Sequence, residues 1–183
     1  MYFKKIEGKK VYLSPMCIDD AIKYTKWMND FEVTDRINTS CNVVTFESEK
    51  AWLEKNSGIG NYQFAIVKQE NDELIGNCSL HDLDFINQKA TVGIFIGEKE
   101  NRGKGYGSEV LELLLSYGFN HLNLNNIMLT VYSFNKNAIA CYKKVGFKEI
   151  GRRREAYFKN NERYDEIYMD IIRSEYYERR KYE

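Results

Sequence analysis

The stretch NRGKGYG, Asn101–Gly107, sets three glycines at alternate positions directly ahead of the apolar run VLELLLSYGF. Glycine costs roughly 0.5–1 kcal/mol relative to alanine in regular structure, so three of them together mark a backbone that something must approach closely. The run that follows carries Val110, Leu111, Leu114, Leu115, Gly118 and Phe119 on one helical face, and the run ahead, TVGIFIG, is rich in β-formers. Strand, glycine loop and helix in that order put the loop at a helix N-terminus. There the leading N–H groups have no carbonyl one turn back, and the helix dipole is positive. Missing side chains let the oxygens of an anion reach those amides, and Arg102 and Lys104 add charge-assisted donors. Two linked phosphates fit this arrangement.

Two familiar diphosphate patterns fail on inspection. The Walker pattern G-x-x-x-x-G-K-[ST] is absent, and neither Glu109 nor Val110 supplies the third glycine of G-x-G-x-x-G, so ATP and NAD lose support. The pattern present is R-x-x-G-x-G, carried by Arg102, Gly105 and Gly107. Charge narrows the field further: Lys plus Arg and Asp plus Glu number 27 each, so no global field selects nucleic acid or an anionic membrane. The Arg152–Arg154 run reads as a solvated strand edge. Cys17, Cys41, Cys78 and Cys141 are scattered, and His81 and His121 are the only histidines, which disfavours metal and disulfide frameworks. The N-terminal MYFKKIEGKK has no apolar core of a signal peptide and no stretch spans a bilayer, so a reduced, cytoplasmic protein is expected.

Along the rest of the chain, KVYLSPM reads as a first strand. IDDAIKYTKWMND follows as a helix with Ile18, Ala21, Ile22, Thr25 and Met28 near one face. TFESEKAWLEKNS gives a second helix, with Thr45 and Ser48 competing as N-cap. Three β-rich runs then suggest an antiparallel meander. A long helix near Gly105 to His121, a strand NIMLTVYS, a helix over Lys136 to Val145 and two strands around the turn KNNE complete the order β-α-α-β-β-β-α-β-α-β-β. This is an α/β sheet with helices on its faces, in one domain over residues 1–183, with a core at 9–173 and a mixed-charge tail at 174–183. In the segment NKNAIACYKKVGF, Asn135 is placed to cap its helix and Gly146 to end it in the left-handed conformation.

That segment contains Ala138, Tyr142, Lys144, Gly146 and Phe147 as an unbroken A-x-x-x-Y-x-K-x-G-F run. Together with R-x-x-G-x-G it resembles the coenzyme A-binding segments of the GCN5-related N-acetyltransferases, the GNAT family. The similarity runs from about ELIGNCSL to MDII, and the closing strand RYDEIYMDII resembles those of ribosomal-protein alanine and spermidine N-acetyltransferases. The resemblance implies a mixed, mostly antiparallel sheet flanked by helices, with the fourth and fifth strands splayed. It implies acetyl-CoA as co-substrate and no metal, with the diphosphate on Arg102, Gly103, Lys104, Gly105, Tyr106 and Gly107, the pantetheine arm on Asn135, and Lys144 within the second motif. It further implies an oxyanion site at the backbone of Phe95 and Ile96, Tyr142 as general acid, and an amine acceptor: a peptide N-terminus, a polyamine or an amino sugar. Homodimers are common in the family.

Two positions stay open. Relatives often carry A-E-x-G on the fourth strand, where this chain reads ATVG; Thr91 is no base, which leaves His81, other carboxylates or water to take the amine proton. Asp165 shares a strand face with Ile167, Met169 and Ile171, so it needs either an internal donor or a substrate ammonium. The departure at Thr91 keeps a catalytically silent acyl-CoA-binding module as the alternative, with a pure interaction domain third.

Overall fold

The computed structural model describes residues 1–181. The strands are β1 (Ile6–Glu7), β2 (Val11–Pro15), β3 (Tyr62–Lys68), β4 (Leu74–Asp84), β5 (Lys89–Ile96), β6 (Asn126–Tyr132), β7 (Lys148–Lys159) and β8 (Glu162–Ile172). The helices are α1 (Ala21–Met28), α2 (Phe31–Thr34), α3 (Phe46–Asn56), α4 (Tyr106–Asn120), α5 (Lys136–Val145) and α6 (Arg173–Arg180). The hydrogen-bonded strand order is β1-β2-β3-β4-β5-β6-β8-β7. This is the expected α/β class, with β1, α2 and α6 added. The added β1 shifts the count by one, so the expected fourth and fifth strands are β5 and β6. Their parallel ladder pairs Lys89 with Asn126, Ala90 with Ile127 and Thr91 with Met128, while β5 continues to Ile96 and β6 to Tyr132.

The contacts divide the chain into two compact units: residues 1–81 with 93–110, and residues 82–92 with 111–183. In the first, β1 to β4 pair antiparallel in chain order, with one register shift against β4 between Ile66 and Val67, and one buried cluster joins Tyr12, Ala65, Val67 and Leu74 of the strands to Ala21, Tyr24, Trp27, Val33 and Leu53 of α1 to α3. Here α1 departs from the expected face. Ala21, Tyr24 and Trp27 are buried while Ile22 is 73% exposed, because two large aromatic rings hide more apolar area than Ile22 and Thr25 would, and their side sets the helix rotation. The start of α3 resolves the competition at its cap: Thr45 is the N-cap, its Oγ1 accepts from Ser48 N–H at 3.1 Å, and Ser48 Oγ accepts from Thr45 N–H at 3.0 Å.

In the second unit, antiparallel β6 and β8 place Ile127 opposite Ile171, Leu129 opposite Met169 and Val131 opposite Ile167, all buried. Leu111, Leu114, Leu115 and Phe119 of α4 are buried as their spacing requires. The β7–β8 hairpin turns at Asn160 and Asn161, both with positive φ, which suits asparagine in a two-residue turn. Strand β7 ends the sheet and exposes Arg152, Arg153 and Arg154. The expected tail folds through residue 180 as α6, whose buried Tyr176 packs on Phe119 at 5.1 Å; residues 182 and 183 lie outside the described set.

Candidate active site

The glycine loop has the geometry that its composition demands. A turn at Lys99–Asn101 leads into Arg102, and Gly103 and Gly105 sit at φ +75° and +87°, a region that residues with a Cβ seldom adopt. The first carbonyl accepting in α4 is that of Gly105, from Glu109 N–H at 3.2 Å. The N–H groups of Tyr106 and Gly107 therefore have no helical carbonyl behind them, and Gly105 has no side chain with which to cap them. The loop is fastened at its root. Buried Asn101 donates to Glu73 Oε1 at 3.4 Å, and Glu73 pairs with Lys68 at 2.9 Å; that hydrogen bond, with the charge behind it, holds the Glu73 carboxyl below its ordinary range.

The two loop cations differ in what they do. Arg102 turns back on the end of β5: its Nε donates to Ile96 O at 3.2 Å, a terminal nitrogen donates to Gly97 O, and the other lies 3.6 Å from Glu32. Lys104 is exposed. A third cation, which local sequence could not reveal, comes from the β1–β2 turn. Lys10 Nζ donates to Lys104 O at 3.0 Å and stands 3.4 Å from where a Cβ on Gly105 would lie.

Phe95 and Ile96, half-buried at the end of β5, are held by close packing. Phe95 stacks edge-on against Trp27 at 5.7 Å and Tyr24 at 6.4 Å. A Cβ on Gly76 of β4 would lie 2.1 Å from Phe95 O, and one on Gly97 would lie 2.1 Å from the Trp27 indole, so both positions need glycine. Gly97 N–H donates to Ile75 O at 2.9 Å. His81, exposed on β4, has its ring 3.6 Å from the Cβ position of Gly93 on β5. Glu49, one turn from Leu53 on α3, is only 7% exposed. Burial alone pushes its carboxyl up.

The remaining candidates belong to the second unit. Asn135 caps α5, its side chain accepting from Ala138 N–H at 3.4 Å. Gly146 ends the helix at φ +105°, and Phe147 N–H returns to Tyr142 O at 3.0 Å. Tyr142 is half-buried with its ring 6.2 Å from Phe147. Burial, with a smaller contribution from Cys141, pushes its hydroxyl well above the usual phenol range. Lys144 is exposed. Asp165 has the internal partners that were one of its two expected options: it accepts from Glu155 N–H at 3.1 Å and lies 3.6 Å from Arg152. The register explains why. Between Arg153 and Tyr157, three residues of β7 oppose Asp165 alone, Glu155 takes φ +52°, and the carboxylate satisfies the amide that this bulge frees from the ladder. His81, Phe95, Ile96 and the loop thus lie in the first unit; Asn135, Tyr142, Lys144 and Asp165 lie in the second.

A profile of the acetyltransferase (GNAT) domain matches residues 16–168. The chain belongs to the GNAT family. It is 30% identical over 172 residues, 92% of this chain and 96% of the other, to an uncharacterised N-acetyltransferase of Bacillus licheniformis. It is 33% identical over 114 residues, 62% of this chain and 65% of the other, to the spermidine N(1)-acetyltransferase of Vibrio cholerae. In fold it is similar to the crystal structure of the Vibrio cholerae spermidine N-acetyltransferase in complex with CoA and spermine, with TM-score 0.83, 24% identity, and coverage of 93% of this chain and 99% of that one. A Bacillus anthracis GNAT acetyltransferase structure gives TM-score 0.79 at 22% identity over 96% and 100% of the two chains. The GNAT chain described here is accordingly an acetyl-CoA-dependent N-acetyltransferase acting on an amine. Among the described residues, no group of three or more His, Cys, Asp or Glu could hold a metal ion, and no helix is long and apolar enough to cross a membrane.

Proposed function

We propose that this GNAT chain, as one domain, moves the acetyl group of acetyl-CoA to a primary amine by direct attack on the thioester. The observation that carries the reading is the loop at the start of α4, where two left-handed glycines leave the Tyr106 and Gly107 amides without a helical acceptor. In this reading those amides, with Gly103, Lys104 and Gly105, take the coenzyme diphosphate. Arg102 acts by bracing the strand end at Ile96 and Gly97. Asn135 takes the pantetheine arm, and Lys144 also contacts the coenzyme.

The neutral amine nitrogen attacks the thioester carbon, a backbone N–H at Phe95 or Ile96 stabilises the oxyanion, and the carbon–sulfur bond breaks as the thiolate leaves. Tyr142 delivers its proton to the sulfur. A tyrosine near 10 facing a thiol near 8.5 is already about 2 kcal/mol short of full transfer, and burial of the Tyr142 hydroxyl widens that gap. Proton delivery therefore accompanies bond cleavage rather than preceding it. The amine proton leaves to His81 or to water, since Thr91 has no basic group. Tyr142→Phe should lower kcat by about 10²–10⁴ with the Kd for CoA unchanged; wild-type kcat in that variant would remove Tyr142 from the chemistry.

The relatives point to two acceptor classes, since one is named a putative ribosomal N-acetyltransferase and another a spermidine N(1)-acetyltransferase. Thiol release from acetyl-CoA against peptides with free N-termini, spermidine and amino sugars identifies the acceptor. Light scattering in the same buffer tests the homodimer common in the family. Tight CoA binding with no acceptor in the panel would overturn the transfer reading.

A further inference from the structure

We infer that Lys10 is a further coenzyme-binding residue, its ammonium taking an oxygen of the diphosphate held by the glycine loop. The inference deepens the proposed reading of that loop and rests on it. Lys10 is fixed from three directions. Its main-chain carbonyl accepts from Gln69 N–H at 2.9 Å, its main-chain N–H donates to Glu109 Oε1 at 2.9 Å, and its Nζ donates to Lys104 O at 3.0 Å. An ammonium has three protons, and the Lys104 carbonyl takes one. Among the described residues no carboxylate pairs with the Lys10 ammonium; Glu109 meets Lys10 at its main-chain amide instead.

The placement runs against simple electrostatics. A cation beside the first turn of the 15-residue helix α4 stands at the positive end of its dipole, next to Lys104 and 3.4 Å from the Cβ position of Gly105. A neutral side chain would make the same carbonyl contact without that repulsion. An anion bridging the ammonium and the Tyr106 and Gly107 amides offsets that repulsion, and its attraction to them opposes the Glu109 carboxylate held on the Lys10 amide. A Cβ at Gly105 would only touch the ammonium at ordinary contact distance, so it is the φ of +87° that keeps this position glycine.

Titration calorimetry with CoA and dephospho-CoA, which lacks the 3′-phosphate, together with thermal shift by inorganic pyrophosphate, tests the assignment on wild type, Lys10→Met, Lys10→Arg and Gly105→Ala. Lys10→Met should weaken CoA and dephospho-CoA equally, roughly 3- to 10-fold at low salt, and reduce the pyrophosphate shift. Lys10→Arg should recover most of the loss, and the ligand-free Tm of Lys10→Met should not fall. Wild-type affinity in Lys10→Met would overturn the assignment. So would a loss confined to CoA, which puts the ammonium on the 3′-phosphate, or a loss shared by Lys10→Arg with a lowered ligand-free Tm, which marks a strut. Gly105→Ala separates the two readings: weakened CoA binding there beside a normal Lys10→Met removes Lys10 alone, and unchanged binding in Gly105→Ala removes the loop reading itself.

Discussion

Single residues divide by whether their charge has a partner. Glu73 and Asp165 are answered by Lys68 and Asn101 and by Glu155 N–H and Arg152, so each stabilises the segment it holds. Among the described residues Glu49, on the inward stripe of α3, has no such partner, and its raised carboxyl pKa has a definite sign. The folded state favours the protonated form. Stability on this account is fully present below the usual glutamate range and is lost as pH rises through the raised folded value. Glu49→Leu should therefore stabilise the protein by on the order of 1 kcal/mol at pH 7, with the difference from wild type shrinking toward pH 4; urea unfolding at the two pH values measures it. In the acid role proposed for it, Tyr142 has the complementary sign. With its hydroxyl pushed up by burial it stays protonated beyond the ordinary phenol range, so kcat should show no Tyr142-dependent fall between pH 8 and about 10.

Helix ends and strand contacts explain the rigidity of the elements. The reciprocal Thr45 and Ser48 bonds satisfy donors at the start of α3, and Thr45→Ala should cost about 0.5–2 kcal/mol in thermal unfolding. At the end of α5, Gly146 combines φ +105° with a Cβ position 3.2 Å from Ile171 Cδ1, so Gly146→Ala is disfavoured by conformation and by packing together. Gly76 is the strictest of these. Any Cβ there meets the Phe95 carbonyl at 2.1 Å, inside contact distance, and that oxygen belongs to the backbone proposed above for the oxyanion. Gly76→Ala should lower kcat/KM through displacement of β5 even where the protein remains folded, which circular dichroism and kinetics on one preparation will separate.

The whole molecule should respond to ligand and to alkali in ways that follow from these parts. CoA at about 100 times its Kd should add about 2.7 kcal/mol to unfolding, if the ligand binds only the folded chain, and raise Tm accordingly. Burial pushes Tyr2, Tyr12, Tyr24 and Tyr142 upward, and Tyr132, clustered with Phe134 and Tyr157, rises to about 12. In the unfolded chain these hydroxyls ionise near 10, so stability should fall steeply as pH rises past that value. The urea midpoint at pH 9 and pH 10.5 will show it. By itself the sequence determined whatever is decided within a few residues: the glycine loop and the face of α4, the Asn135 and Gly146 caps and the turn at Asn160 and Asn161, and it narrowed the start of α3 to Thr45 or Ser48. Backbone conformation, capping and periodicity act at short range, so local text suffices for them. Only the tertiary structure decided which face α1 buries, that Glu49 points inward, that Glu155 in a bulge answers Asp165, and that Lys10 reaches a loop 94 residues away. Those outcomes depend on which distant groups meet once the apolar surfaces have closed, and no short stretch of sequence holds both partners.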